Sequence, residues 1–411
     1  MAYTAKCDTA SATKWWITGT GSSVNRLSEV MDDNASGVEE NDNPGNYQPW
    51  STFMTETVED GVYLIHLPLE IGDSSTSTSL ISPDECVRFD DGAYPSLMNA
   101  SLTLGSESSS KNYKGAYWII TDTSGGNLEI IPLNKTNSVL NVYGSRIHNA
   151  GASELWFRDG SLKFHDSIFS GTNKDANNSN KKFYFFATID YFEVVNCIFT
   201  GLYGTIFSEE FDIVQDLKVF NSNRSTNPPA QEITIYGSEF SGNTTDIYTS
   251  FGSGCVVNLI DPKSESALVI AINNADGVIY EQYTVNIKVA DKDGTALQNV
   301  VVDCVGSDSG SPSTEYDTAQ WTAGTVTTAA DGTITEQTAT VKKWVGILET
   351  ETNYNYFKFT FSLAGYETLV MENITIDGPI DWHLELQPKY KMDSRGNYPF
   401  IAVNDNMVMR I

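Results

Sequence analysis

Basic residues are scarce in this 411-residue chain: Lys and Arg number 25 against 53 Asp and Glu, for a net charge of −28. Such a field repels phosphate backbones and anionic lipid surfaces, which excludes nucleic acid as a partner and argues against membrane insertion. Histidine is scarcer still, with four copies at His66, His148, His165 and His383, none of them near another or at ligand spacing from a cysteine. The five cysteines, Cys7, Cys86, Cys197, Cys255 and Cys304, form no CxxC pair, so neither a zinc knuckle nor a disulfide framework is expected. Buried, reduced thiols used as small packing groups are the expectation instead. No apolar run is long enough to cross a bilayer, and the N-terminal Met1-Ala2-Tyr3-Thr4-Ala5-Lys6 does not resemble a secretory signal. A protein made in the cytosol that does not use the general secretory route is therefore expected. The Asn-x-Ser/Thr triplets at Asn99, Asn134, Asn243 and Asn373 then follow from composition rather than glycosylation. Long amphipathic helical patterns are also missing, with Ser28-Glu29-Val30-Met31 forming one turn at best.

What is abundant is Tyr, Phe, Thr, Ser, Asn and Gly, a mixture that favours strands and turns and makes the chain all-β. Within it one degenerate motif recurs: Val142-Tyr143-Gly144-Ser145-Arg146-Ile147, Phe164-His165-Asp166-Ser167-Ile168-Phe169, Val194-Val195-Asn196-Cys197-Ile198-Phe199 and Ile235-Tyr236-Gly237-Ser238-Glu239-Phe240. The third position is Gly, Asp or Asn, the residues that tolerate a sharp bend, the fourth is small, and the sixth is Ile or Phe. Sixth positions lie 22, 30 and 41 residues apart. The last interval has room for two coils, one holding Leu217-Lys218-Val219-Phe220-Asn221-Ser222. Such spacing indicates a solenoid in which each rung buries its apolar face on its neighbours, with Ile147, Phe169, Phe199 and Phe240 in one internal column. Ser145, Ser167, Cys197 and Ser238 form a second column beside the bend.

Around these copies the chain divides into four parts. Residues 1–60 read as an irregular N-terminal arm or cap, with disorder competing over the acidic stretch 32–49. Residues 61–280 carry the solenoid: short strands begin at Val62–Glu70, continue through 86–92, 100–105, 117–120 and 128–131, and close with 256–260 and 267–272. Residues 281–388 form a separate β domain. Residues 389–411, with Tyr398-Pro399-Phe400-Ile401 and Met407-Val408-Met409, read as an assembly tail.

The phrase Leu69-Glu70-Ile71-Gly72-Asp73 and the four motif copies resemble the right-handed parallel β-helix proteins found among tail fibres and spikes of tailed viruses and among microbial surface proteins. The domain at 281–388 runs strand, Asp291-Lys292-Asp293-Gly294, strand, Asp331-Gly332, strand, Ala364-Gly365-Tyr366, strand. That order resembles the transthyretin-like, immunoglobulin-class sandwich of carboxypeptidase regulatory-like domains, and implies an accessory or adhesive module. Together the resemblances imply a structural virion protein (fibre, spike or decoration protein) of a virus of bacteria or archaea. Its partners would be itself as a homotrimer, other virion proteins, and a host-surface glycan or protein. Two alternatives stay open, a β-helix polysaccharide lyase or hydrolase and a cell-surface adhesin or filament subunit.

The search for chemistry is thin. Glu209-Glu210-Phe211-Asp212 is the best carboxylate cluster, with Glu210 and Asp212 on one strand face as a potential acid–base pair. Asp291, Asp293 and Asp303 could meet calcium, although a hairpin turn explains them. Ser124-Gly125-Gly126-Asn127 lacks the spacing of a phosphate loop. Tyr143, Trp156, Tyr191, Tyr203 and Tyr236 could form a sugar-stacking strip, and packing explains them equally well. The chain is therefore expected to be non-enzymatic, with no residue assigned to catalysis, a cofactor or a metal.

Overall fold

The computed structural model describes residues 2–21, 25–57, 61–73, 77–106, 115–124, 126–151, 153–173, 183–186, 191–203, 217–220, 232–241, 246–250, 256–264, 267–273, 276–308, 315–321 and 324–389. The protein is all-β with several sheets. Among the described residues the helices are Leu27–Asp33 and the single 3-10 turn Trp50–Thr52. The chain divides into two compact units, residues 1–282 with 342–352, and residues 283–341 with 353–411.

Three parallel sheets build most of the first unit. One contains Ser79–Ser82, Ser101–Gly105, Val139–Tyr143, Ser161–His165, Tyr191–Val195, Glu232–Tyr236 and Val256–Ile260, each paired with the next. A second runs from Val62–Ile65 through Cys86–Phe89, Tyr117–Ile120, Arg146–Asn149, Ile168–Asn173, Ile198–Tyr203 and Glu239–Ser241 to Lys263–Ser264. The third joins Asn127–Ile131, Glu154–Phe157, Phe183–Phe186, Leu217–Phe220, Ile247–Ser250 and Ile270–Asn273. From Asn127 onward the chain visits the sheets in rotation, so each strand pairs with the strand three places further on.

The recurring motif is the corner between the first and second sheets. Its opening pair ends a strand of the first sheet, and its third residue turns the backbone into the left-handed region: φ is 52° at Gly144, 50° at Asp166, 52° at Asn196 and 60° at Gly237. Glycine meets no steric penalty there, and Asn and Asp are the side chains that tolerate it best. The small fourth residue is buried and carries a hydroxyl ladder. Ser167 Oγ accepts the Ser145 N–H at 3.3 Å and donates to the His165 carbonyl at 2.7 Å; Ser145 Oγ accepts from Ala116 N at 2.9 Å, and Ser238 Oγ from Cys197 N at 3.1 Å. A buried amide with no ladder partner at the bend is thus satisfied by the next copy's side chain.

The sixth residue points inward. Register aligns Tyr63, Val87, Trp118, Ile147, Phe169, Phe199 and Phe240 in succession, and every one is buried. Phe199 lies between Phe169 and Phe240, with centroids 5.2 and 5.5 Å away and planes 15° and 11° from parallel. Ile198–Tyr203 pairs directly with Glu239–Ser241, so no strand of the second sheet intervenes across the 41-residue interval. Leu217–Phe220 is not another corner; it belongs to the third sheet, whose strands lie between successive corners.

The N-terminal segment is not irregular. Thr4–Cys7, Trp15–Thr18, Val38–Glu40 and Tyr47–Gln48 join Leu69–Ile71 and Pro95–Leu97 in a six-stranded sheet, and Trp15, Ile17, Val38 and Phe53 enter the same core as the parallel strands. The continuous pattern Val62–Glu70 breaks into two strands in different sheets, Val62–Ile65 and Leu69–Ile71, around Pro68. Proline has no N–H and restricts the residue before it, so the ladder stops there.

In the second unit, Val301–Ser307 pairs antiparallel with Tyr356–Ser362, which pairs with Leu369–Ile374. Residues 285–291 pair in parallel with Ile380–Leu386. One core draws on both groups, with Val285, Ile287, Val302, Cys304, Phe357, Phe359, Phe361 and Leu386 buried. The strand expected at Ile374-Thr375-Ile376 falls five residues earlier, at Leu369–Ile374.

Candidate functional site

Alternation along Trp15–Thr18 sends adjacent tryptophans to opposite faces. Trp15 is fully buried, edge-on to Trp50 at 5.7 Å, and donates Nε1–H to the Leu67 carbonyl at 3.3 Å. Trp16 lies half-buried on the other face, between Lys6 on one neighbouring strand and Glu70 on the other. It lines an open groove of about 440 Å³. Asp8, Lys14, Asn41, Glu70, Asp73, Met98 and Lys135 line it as well.

Several contacts make the groove rigid. Lys14 Nζ meets Glu70 Oε1 at 2.6 Å. Asp8 Oδ1 accepts the Thr13 N–H at 3.0 Å and Asp8 Oδ2 the Thr13 hydroxyl at 2.5 Å. Partial burial pushes the Asp8 carboxyl upward, but hydrogen bonds from Thr13 and Lys14 outweigh it and hold the group below the usual carboxylate range. Gly72, at φ +91°, is part of the lining. A Cβ there would lie 2.7 Å from Ala100 Cβ and 2.8 Å from the Met98 carbonyl, so only glycine permits this approach.

A second constellation joins a histidine that looked isolated in the chain. His66 Nδ1 lies 2.7 Å from Asp90 Oδ2, and Nε2 lies 2.8 Å from Thr55 Oγ1. A carboxylate that orients an imidazole against a hydroxyl is an arrangement that can move a hydroxyl proton. Here it also ties the antiparallel pair Met54–Glu56 and Val62–Ile65 to Cys86–Phe89. His148 is buried, with Nδ1 2.9 Å from Ser170 Oγ; burial, and then the neighbouring Arg146 charge, push its pKa down to about 4. His165 Nε2 meets Glu193 Oε1 at 2.6 Å, and His383 is exposed 3.9 Å from Asp381.

The other sequence candidates separate. Glu209, Glu210 and Asp212 lie outside the described residues, as do Cys255, Gly125 and residues 390–411. Asp291 Oδ1 accepts the N–H groups of Asp293 and Thr295, and Lys292 Nζ meets Asp293 Oδ1 at 2.8 Å, so these residues build a turn. Among the described residues no group of three His, Cys, Asp or Glu side chains converges to hold a metal. The proposed aromatic strip does not form one surface. Tyr143 is buried, edge-on to His165 at 5.7 Å, while Trp156 belongs to the third sheet beneath the Arg158 guanidinium at 5.4 Å. Tyr236 shares the Tyr143 register two strands further on from His165, and the side chains of Tyr191 and Tyr203 lie outside the description. Cys7, Cys197 and Cys304 are buried free thiols, with burial pushing Cys197 up to about 12.

Trp16 lies in the segment that reads as an irregular arm, and strict alternation in a strand is the signal in Trp15-Trp16 that one ring must face outward. The 24-residue separation of His66 and Asp90 becomes meaningful only once parallel strands place them side by side. No helix among the described residues is long and apolar enough to cross a membrane. No family model matches the chain, nor does any curated protein or solved structure.

Proposed function

We propose that the first unit is a right-handed parallel β-helix and the second an immunoglobulin- or transthyretin-like β-sandwich. We further propose that the chain is a structural virion protein (fibre, spike or decoration protein) of a tailed virus of bacteria or archaea. The observation that carries this reading is the unbroken succession of parallel pairs from Val62–Ile65 to Lys263–Ser264, with one aromatic and aliphatic column inside it. Parallel connections within one sheet are right-handed in nearly all proteins, which supports the right-handed reading. A stacked parallel array has low internal freedom and resists local unfolding, properties suited to a load-bearing stalk. The strong negative charge disfavours nonspecific association of exposed edges. Host-surface contact through the accessory sandwich and assembly as a homotrimer complete the reading.

Sedimentation of the purified full chain, paired with cryo-electron microscopy of the sample and of particles carrying it, tests the proposal. A discrete trimer or a defined position on a virion supports it. A strict monomer at all concentrations that is absent from particles overturns it.

A further inference from the structure

We propose that the groove beneath Trp16 binds the ring face of a neutral, hydroxyl-rich saccharide. The aromatic surface is the first ground. Trp50 and Trp118 in the same unit, like Trp15, donate their indole N–H groups within the protein, to Asn34 O and Ser82 Oγ. Trp16 Nε1 has no such partner among the described residues, and its ring is partly exposed at the groove. An amphipathic ring with one apolar face and an available donor matches a pyranose, which presents C–H groups to the face and hydroxyls at the rim.

The surrounding polar groups supply what those hydroxyls need. Asp8 is held ionised and oriented by Thr13, which leaves a fixed acceptor at the rim. Asn41 is anchored through its backbone N–H to the Cys7 carbonyl at 2.9 Å, and its side-chain amide can both donate and accept. Lys135 adds a donor, on a backbone fixed by its N–H to Asp159 Oδ2 at 3.0 Å. The volume of about 440 Å³ falls within the range of small-ligand clefts, about 300–1,000 Å³.

Charge selects the class. The lining carries three carboxylates, Asp8, Glu70 and Asp73, against two lysines, Lys14 and Lys135, inside a protein of net charge −28. Uronates, sialylated glycans and phosphates meet repulsion there, and neutral hexose units do not. This site does not depend on a virion location, because binding is measured on the isolated full chain and particle attachment is not part of the readout.

The experiment is a titration of the full chain with neutral hexose oligomers (glucans, galactans and mannans) beside uronate-containing and sialylated oligomers. Binding is followed by indole fluorescence and by saturation-transfer NMR observed on the sugar. A neutral oligomer should bind, with Trp16→Ala weakening it by about tenfold or more, Trp16→Phe by less, and Tyr47→Ala outside the groove leaving it unchanged. Trp16→Phe keeps a ring in the strand, so it reports even where Trp16→Ala does not fold. Absence of binding by every neutral oligomer, equal affinity in Trp16→Ala or Trp16→Phe and the parent, or preference for acidic glycans overturns the proposal.

Discussion

Glu85 offers a measurable test of how the first unit handles buried charge. The residue is 2% exposed, close enough to Tyr3 and Tyr63 for its charge to act on both, and Oε2 has no hydrogen-bond partner. Burial raises its pKa from 4.5 to about 7, against the opposing pull of Ser82, Arg26 and the Leu27 N–H. The folded protein therefore holds a proton between those two values that the unfolded chain has released. The stability associated with neutral Glu85 is fully present below pH 4.5 and is lost as pH rises through about 7. At about 1.4 kcal/mol per pKa unit, the loss amounts to about 3 kcal/mol.

His148 works in the opposite direction over an overlapping window. Its folded pKa of about 4 lies below the ordinary 6.5, so the unfolded chain binds the extra proton, and stability rises as pH climbs from about 4 to 6.5. The two slopes nearly cancel, and the parent protein should show an almost flat stability profile across pH 4.5 to 6.5. Glu85→Gln removes one of them. Urea unfolding of the first unit, followed by tryptophan emission, should then reveal a stability that increases by about 3 kcal/mol from pH 4.5 to 6.5. His148→Asn should show a decrease over the same interval, and the double variant should be flat again. Parallel curves for Glu85→Gln and the parent would refute the assignment of a buried, protonated carboxyl.

Two further outcomes follow from the corner geometry. Phe199→Ala opens a gap between the stacked rings of Phe169 and Phe240 and should cost about 3–5 kcal/mol in chemical unfolding, while Phe199→Leu should cost less. Ser167→Ala leaves the buried Ser145 N–H without its acceptor and should cost about 1–3 kcal/mol, with the Ser145 amide losing hydrogen-exchange protection; Ser167→Thr, which retains the hydroxyl, should lose protection less.

How much of this was legible beforehand depends on whether the physics is local. The corner at Asp166 and Asn196 could be read because Gly, Asn and Asp adopt the left-handed region most readily, and because the following small residue and inward Phe repeat with it. Asp261, at φ 51°, makes the same corner before Lys263–Ser264, yet it escaped notice because Pro262 stands where the small hydroxyl should be and Ser264 where the aromatic should be. The third sheet was legible only in part: the runs at 128–131 and 267–272 mark its first and last strands, whereas Glu154–Phe157 and Phe183–Phe186 follow no turn residue at fixed offset from the corner, so their spacing drifts with every loop. The groove was harder still. Asp8, Trp16, Glu70 and Lys135 come from four separate stretches, and only the pairing of Trp15–Thr18 with Leu69–Ile71 brings the middle two together. Pattern along the chain identifies what a residue must do to its own backbone; a binding surface depends on which strands become neighbours. For this protein that adjacency is set by the six-stranded N-terminal sheet, where Trp15–Thr18 pairs with Leu69–Ile71, more than 50 positions away.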